Sequence, residues 1–142
     1  MTWNLTDKNN YLTGMLVLIC KDRNIDSTDK KMIRLMADDL GFNHYFVDQS
    51  IDEIKERKFI IEEPPEFSSL EIAEAFIKDA IRFAFLDHAL HLYELEWLSS
   101  IAAKNKLSVQ WFFLEIEYFL KNNNYDKDRI YEIKKYVEPV FH

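Results

Sequence analysis

Apolar residues recur at intervals of three and four along most of this chain, the spacing that places side chains on one face of an α-helix. Seven segments follow this pattern and are predicted to be helical: 11–21, 26–40, 46–57, 69–87, 92–104, 108–120 and 126–138. No segment shows the strict alternation of apolar and polar residues that is typical of a half-buried strand. The pattern therefore predicts an all-α fold, a single-domain bundle of about seven helices spanning residues 1–142.

Breaks in the helical pattern coincide with residues that start or stop helices. Ser68 or Ser69 can cap the fourth helix, and Ser108 can cap the sixth, because a serine hydroxyl accepts a hydrogen bond from an otherwise unpaired first-turn amide. The proline pair at 64–65 cannot continue a helix, since proline lacks an amide hydrogen and pushes the preceding residue toward extended geometry. We therefore expect an extended crossover at 59–67.

The segment 108–120 is apolar on nearly every side. Its large apolar residues are Trp111, Phe112, Phe113, Leu114, Ile116, Tyr118, Phe119 and Leu120. A helix without a polar face is typical of the middle of a bundle. We expect this helix to be central and most of its aromatic residues to lie in the core, and the alternative is an exposed groove for a partner helix.

A short acidic pattern occurs twice, 65 residues apart. Asp22 is followed by an aliphatic residue at the third position and by Asp29 at the seventh, and Asp87 is followed in the same way by Glu94. Each copy lies between two apolar helical stretches. Because repetition at a fixed interval indicates a repeated structural unit, we predict two helix-turn-helix units, at about 11–42 and 70–108.

Charge narrows the range of partners. The formal net charge is −7 and the pI is about 5.1, which disfavours nucleic acid because binding to phosphates requires clusters of Lys and Arg. Cations or a basic protein partner remain compatible with this charge, although the sequence identifies no partner. No apolar run approaches the length of a membrane span, so direct membrane insertion is not expected.

Cysteine usage and the N-terminal residues indicate the compartment. Cys20 is the single cysteine, so an intramolecular disulfide is impossible and a reducing environment is expected. The first residues lack the basic stretch and long apolar stretch of a secretory signal. We therefore expect a cytoplasmic protein.

The repeated acids permit two interpretations. Asp22 and Asp87 are predicted at the C-terminal ends of helices, where the helix dipole disfavours a negative charge, so a compensating interaction is expected. A divalent cation is one candidate, with Ca²⁺ or Mg²⁺ favoured over Zn²⁺ because these ions prefer oxygen ligands. Alternatively, Asp29 and Glu94 only stabilise the first turns of their helices, with Asp26 completing a cap.

This arrangement of acids resembles the TerB-like family associated with tellurite resistance. The resemblance extends over residues 11–120 and implies an all-helical domain whose paired acids form an acidic patch proposed to bind metal ions, in stress-related or membrane-linked assemblies. Carried over by position, the acids are Asp22 and Asp29 in the first unit and Asp87 and Glu94 in the second. Where the family often has glycine after the first acid, this chain has Arg23 and His88.

Other chemistry receives little support from the residues. His88 and His91 are possible additional ligands, but two histidines without thiolates or a distant third ligand rarely define a zinc site. The sequence shows no complete catalytic constellation, so the chain is predicted not to be an enzyme. The alternative to cation binding is a metal-free interaction adaptor that uses an apolar, aromatic groove near Trp97 or Trp111.

Overall fold

The computed structural model describes residues 4–20, 27–56, 63–85 and 92–122, and these residues form helices without strands. Six helices follow one another in the chain: α1 (Leu5–Cys20), α2 (Ser27–Leu40), α3 (His44–Glu56), α4 (Leu70–Ala84), α5 (Leu92–Lys104) and α6 (Val109–Asn122). The all-α prediction is confirmed. The seventh predicted helix, at 126–138, lies outside the described residues.

Side-chain caps determine where several helices begin. Ser69 is the N-cap of α4 and accepts a hydrogen bond from the amide of Ile72, and Ser108 accepts one from the amide of Trp111. Both caps were predicted. Helix α1 instead begins six residues before the predicted start, because Asn4 and Asp7 form a reciprocal capping box in which each side chain accepts the backbone amide of the other.

The helices pack as two groups of three. Within the first group, α1–α3, each helix contacts the other two, and the same holds within the second group, α4–α6. Helix α1 also packs against α4 and α5, so it joins the two groups. Nearly every residue of α1 from Tyr11 to Ile19 is buried, as is most of α4.

The expectation that the helix at 108–120 is central is wrong for the described part of the chain. Helices α1 and α4 occupy the middle, and α6 lies at the surface with Phe112 and Phe119 directed into the core. Its other large apolar residues are exposed at Val109, Phe113, Leu114, Tyr118 and Leu120. An all-round apolar composition thus identified a helix with several apolar contacts to make, but not its position.

A close approach of α1 and α4 requires a glycine. A Cβ at Gly14 would lie 2.7 Å from Cζ of Phe76, well inside van der Waals contact. The carbonyl oxygen of Gly14 also accepts a hydrogen bond from Nε1 of Trp97 on α5, at 3.1 Å. One position on α1 therefore contacts both central elements of the second group.

The crossover before α4 is held in place by amide side chains and one carboxylate. Asn105, at the end of α5, accepts the amide of Phe67 at 2.8 Å and donates to the carbonyl of Pro65 at 2.9 Å. The carboxylate of Asp7 accepts both the amide and the hydroxyl of Ser68. Residues 63–67 are not helical, in agreement with the prediction from the prolines.

Candidate functional site

Two of the four repeated acids lie in the described structure, and they occupy matching places. Asp29 is the third residue of α2, and Glu94 is the third residue of α5. Both therefore lie in a first turn, as predicted. Asp22, Asp26, Asp87, His88 and His91 lie outside the described residues.

Both of these carboxylates are buried. Asp29 is 4% exposed and Glu94 is fully buried, which is unusual for acidic side chains. Each precedes the core-facing residues of its helix by one turn: Met32 and Ile33 in α2, and Trp97 and Leu98 in α5. A carboxylate at this depth must be compensated by hydrogen-bond donors or by a cation, and the first turn of a helix supplies both amide donors and a favourable dipole.

The interval of 65 residues recurs in the caps and turns around these acids. Asn4 and Ser69 cap α1 and α4, and their side chains accept amides three residues later, at Asp7 and Ile72. Asn43 and Ser108, also 65 residues apart, do the same at the starts of α3 and α6. The second helices of the two groups begin at Ser27 and Leu92, again at this interval.

The ends of α2 and α5 follow the same rule. Gly41 has a φ of 86° and Lys106 a φ of 62°, and these two are the described residues with left-handed φ. Beyond them, Phe42 donates to the carbonyl of Ala37, and Leu107 donates to that of Ala102. The bonds define the same C-terminal motif on both helices, although one uses glycine and the other lysine.

Sequence reasoning missed further buried charged groups on the central helices. Asp79 and Arg82 of α4 are buried, and the hydroxyl of Tyr11 on α1 donates to the carboxylate of Asp79. The available signal was a charged residue at helical spacing within an otherwise apolar stripe, three residues after Phe76. This signal predicts a buried polar contact but no particular chemistry.

The donors in the described structure fit part of a cation site. Asp29 and Glu94 supply carboxylate oxygens, the ligands that Ca²⁺ and Mg²⁺ prefer. Among residues 4–20, 27–56, 63–85 and 92–122, no three His, Cys, Asp or Glu side chains are grouped as metal ligands would be. A site built on the repeated acids therefore requires Asp22 or Asp87.

A separate groove lies between α1 and α3. It has a volume of about 270 Å³, with Leu12, Leu16 and Phe46 as its apolar walls. Its polar lining residues are Asn9, Thr13, Ser50 and Glu53. With one carboxylate and no histidine or cysteine in the lining, the groove provides neither an acid-base pair nor a nucleophile-base pair.

Comparison of the chain with protein-family models, with curated proteins and with solved structures finds no match. The resemblance to the TerB-like family therefore stays a prediction. Of the described helices, none has the length and apolar character needed to cross a membrane.

Proposed function

We propose that this chain is a non-enzymatic, TerB-like helical domain that binds a divalent cation through its duplicated acidic turns. The acids assigned to this role are Asp22, Asp29, Asp87 and Glu94. The observation that carries the proposal is the equivalent placement of Asp29 and Glu94, each buried at the third position of the second helix of its group.

Duplication of a three-helix unit supports this assignment. The interval of 65 residues relates the caps of the first and third helices, the starts of the second helices, and the left-handed turns that end them. Independent helices would not begin and end in register over so many positions. The repeated unit we infer is therefore α1–α3 followed by α4–α6, larger than the helical pair suggested by the acids alone.

The same register bears on Asp22 and Asp87. Each precedes by five residues the start of the helix that carries its partner acid, since α2 begins at Ser27 and α5 at Leu92. Equivalent backbones on both sides would bring each pair of acids into the same relationship twice. Oxygen ligands and an overall negative charge favour a hard cation such as Ca²⁺ or Mg²⁺.

Thermal unfolding with and without Ca²⁺, Mg²⁺, Mn²⁺ or Zn²⁺ tests the proposal. A cation that binds only the folded protein should stabilise it by about 1.4 kcal/mol at tenfold excess over its Kd. The test variant is Asp22→Asn with Asp87→Asn, which removes charge while preserving side-chain shape. The control is Asp52→Asn with Glu56→Gln, which removes the same charge from exposed positions on α3.

We expect one or more of these ions to raise the Tm of the native chain and of the control, but not of the test variant. An equal shift in all three proteins would indicate non-specific charge screening, and no shift in any protein would also reject cation binding. The selectivity series separates the candidate metals: a response to Zn²⁺ alone would implicate the histidines rather than a carboxylate site.

One flank of α6 favours an interaction adaptor as the second candidate. Trp97 is buried and bonded to Gly14, so an adaptor groove would have to lie near Trp111. Trp111 is half-buried, with the exposed Leu114 and Tyr118 at helical spacing beside it. An amphipathic partner helix is the chemistry that suits such a flank. Tyr118→Glu should abolish capture of such a partner without changing the cation response.

A further inference from the structure

Helix α6 carries a second exposed apolar surface, on a different side from Trp111. Val109, Phe113, Ile116 and Leu120 follow one another at intervals of four, three and four, so they form one stripe along three turns. We call these four residues the α6 stripe. Val109 is 61% exposed, Phe113 50% and Leu120 47%, while Ile116 is partly buried against the core.

The α6 stripe differs from its counterpart in the first group. Residues 65 positions earlier, on α3, are His44, Asp48, Ile51 and Lys55. Helix α3 follows an equivalent cap and contacts the other two helices of its group as α6 does, so the two helices occupy corresponding places. Three of the four positions are thus polar on α3 and apolar on α6.

This contrast indicates that the α6 stripe is covered. Single exposed apolar residues are ordinary, but a contiguous stripe of large ones marks a surface that packs against something. The polar residues of α3 show what this place in the fold carries when it faces water. On α6, the same place has the composition of a helix interface.

The chain following α6 has a complementary sequence. Residues 123–142 lie outside the described residues, and their sequence places Ile130, Ile133 and Val137 at intervals of three and four. Asp126 or Asp128 can act as a cap before them, and Pro139 follows. The polar stretch between Asn122 and Asp126 has the length of the loops that join antiparallel helices.

We propose that residues 126–138 pack antiparallel along the α6 stripe as an amphipathic helix. Ile130 then faces Leu120, Ile133 faces Ile116, and Val137 faces Phe113, because antiparallel neighbours pair in reverse order from their shared loop. The first group contains no equivalent segment, since α3 leads into the crossover instead. A second copy of the chain fits less well, because stable interfaces between chains use about 20–30 residues on each side.

Coupling between the two surfaces tests this proposal in the full-length chain. The variants are Leu120→Lys, Ile130→Lys and the two combined, with Leu114→Lys as the control. Leu114 lies on α6, is 62% exposed and points about 120° away from Leu120 around the helix axis. We expect each stripe variant to lower Tm by about 3–6 °C, and the combined variant to lower it by clearly less than the sum. The control should change Tm by less than about 2 °C.

The alternative outcomes are distinct. Strictly additive losses, or no loss at Leu120 and Ile130, would show that the two residues do not meet and would overturn the proposal. Light scattering identifies the other occupant: a dimer that Leu120→Lys converts to a monomer would assign the α6 stripe to a second copy. If lysine prevents folding, Leu120→Ala, Ile130→Ala and their combination provide the same comparison with smaller changes.

Discussion

The indole Nε1 of Trp97 donates to the carbonyl oxygen of Gly14 across 83 residues of sequence. The bond joins α5 to α1, and therefore links the second group of helices to the first. A helical carbonyl normally accepts an amide four residues later, so this interaction uses the second acceptor site of the oxygen. The tryptophan thus contributes to the core and holds two groups together.

Replacing this tryptophan should weaken the junction. Trp97→Phe removes the hydrogen bond and part of a buried ring, and we expect the free energy of unfolding to fall by about 1–3 kcal/mol. Urea denaturation measures the change. Trp111→Phe is the matched control because Trp111 is only half-buried, and a loss there equal to that at Trp97 would contradict this account.

Gly14→Ala should destabilise the protein although alanine favours helices. The added methyl carbon would lie 2.7 Å from the ring of Phe76, forcing the central helices or the ring to move. We expect a net loss of about 1–3 kcal/mol despite a gain in helix propensity of up to about 1 kcal/mol.

The partner ring provides the control for this glycine. Phe76→Leu alone should be destabilising, but in its presence Gly14→Ala should cost less because the steric conflict is reduced. Equal effects of Gly14→Ala in both backgrounds, measured by urea denaturation, would show that crowding against Phe76 is not the cause.

The two left-handed turns predict opposite effects of exchanging their residues. Lys106 has a φ of 62°, which costs a residue with a side chain about 1 kcal/mol relative to glycine. Lys106→Gly should therefore stabilise the protein by about 0.5 kcal/mol after the greater flexibility of glycine in the unfolded chain is subtracted.

Gly41→Ala is the reciprocal test. Space is available, since no atom lies within 4 Å of the added carbon, so any loss comes from its φ of 86°. We expect a loss of about 1 kcal/mol in chemical denaturation. Stabilisation by Gly41→Ala would show that the turn relaxes to another conformation.

Asp7 should be more important for stability than an ordinary surface acid. Its buried carboxylate accepts the amide of Asn4 and both the amide and the hydroxyl of Ser68, so it fastens the start of α1 to the start of α4. Asp7→Ala is expected to cost about 2–4 kcal/mol, because hydrogen bonds to charged groups are strong and their donors would remain buried. Asp52→Ala, at an exposed site, should change the unfolding free energy by less than about 0.5 kcal/mol.

Local signals in the sequence predicted the helices well, because helix boundaries depend on neighbouring residues. The hydroxyls of Ser69 and Ser108 and the backbone freedom of Gly41 act within a few positions, and the structure uses all three. The early start of α1 was missed because its first six residues contain a single aliphatic side chain, Leu5. The capping pair of Asn4 and Asp7 carried the information instead.

Features that depend on distant contacts were not available from periodicity. The burial of Asp79 follows from Tyr11, which lies 68 residues away, and the surface position of α6 follows from how the two groups meet. Placement of Asp29 and Glu94 in first turns was predictable, since it needs only the start of each helix. Their depth required the tertiary packing of α2 and α5.

Helix α1 gives the two groups a common fate. It supplies core residues to α2 and α3 on one side and to α4 and α5 on the other, so neither group can lose its structure without exposing the surface on which the other depends. Duplicated units joined by a simple linker would melt one after the other. Here the shared helix makes denaturation a single cooperative transition.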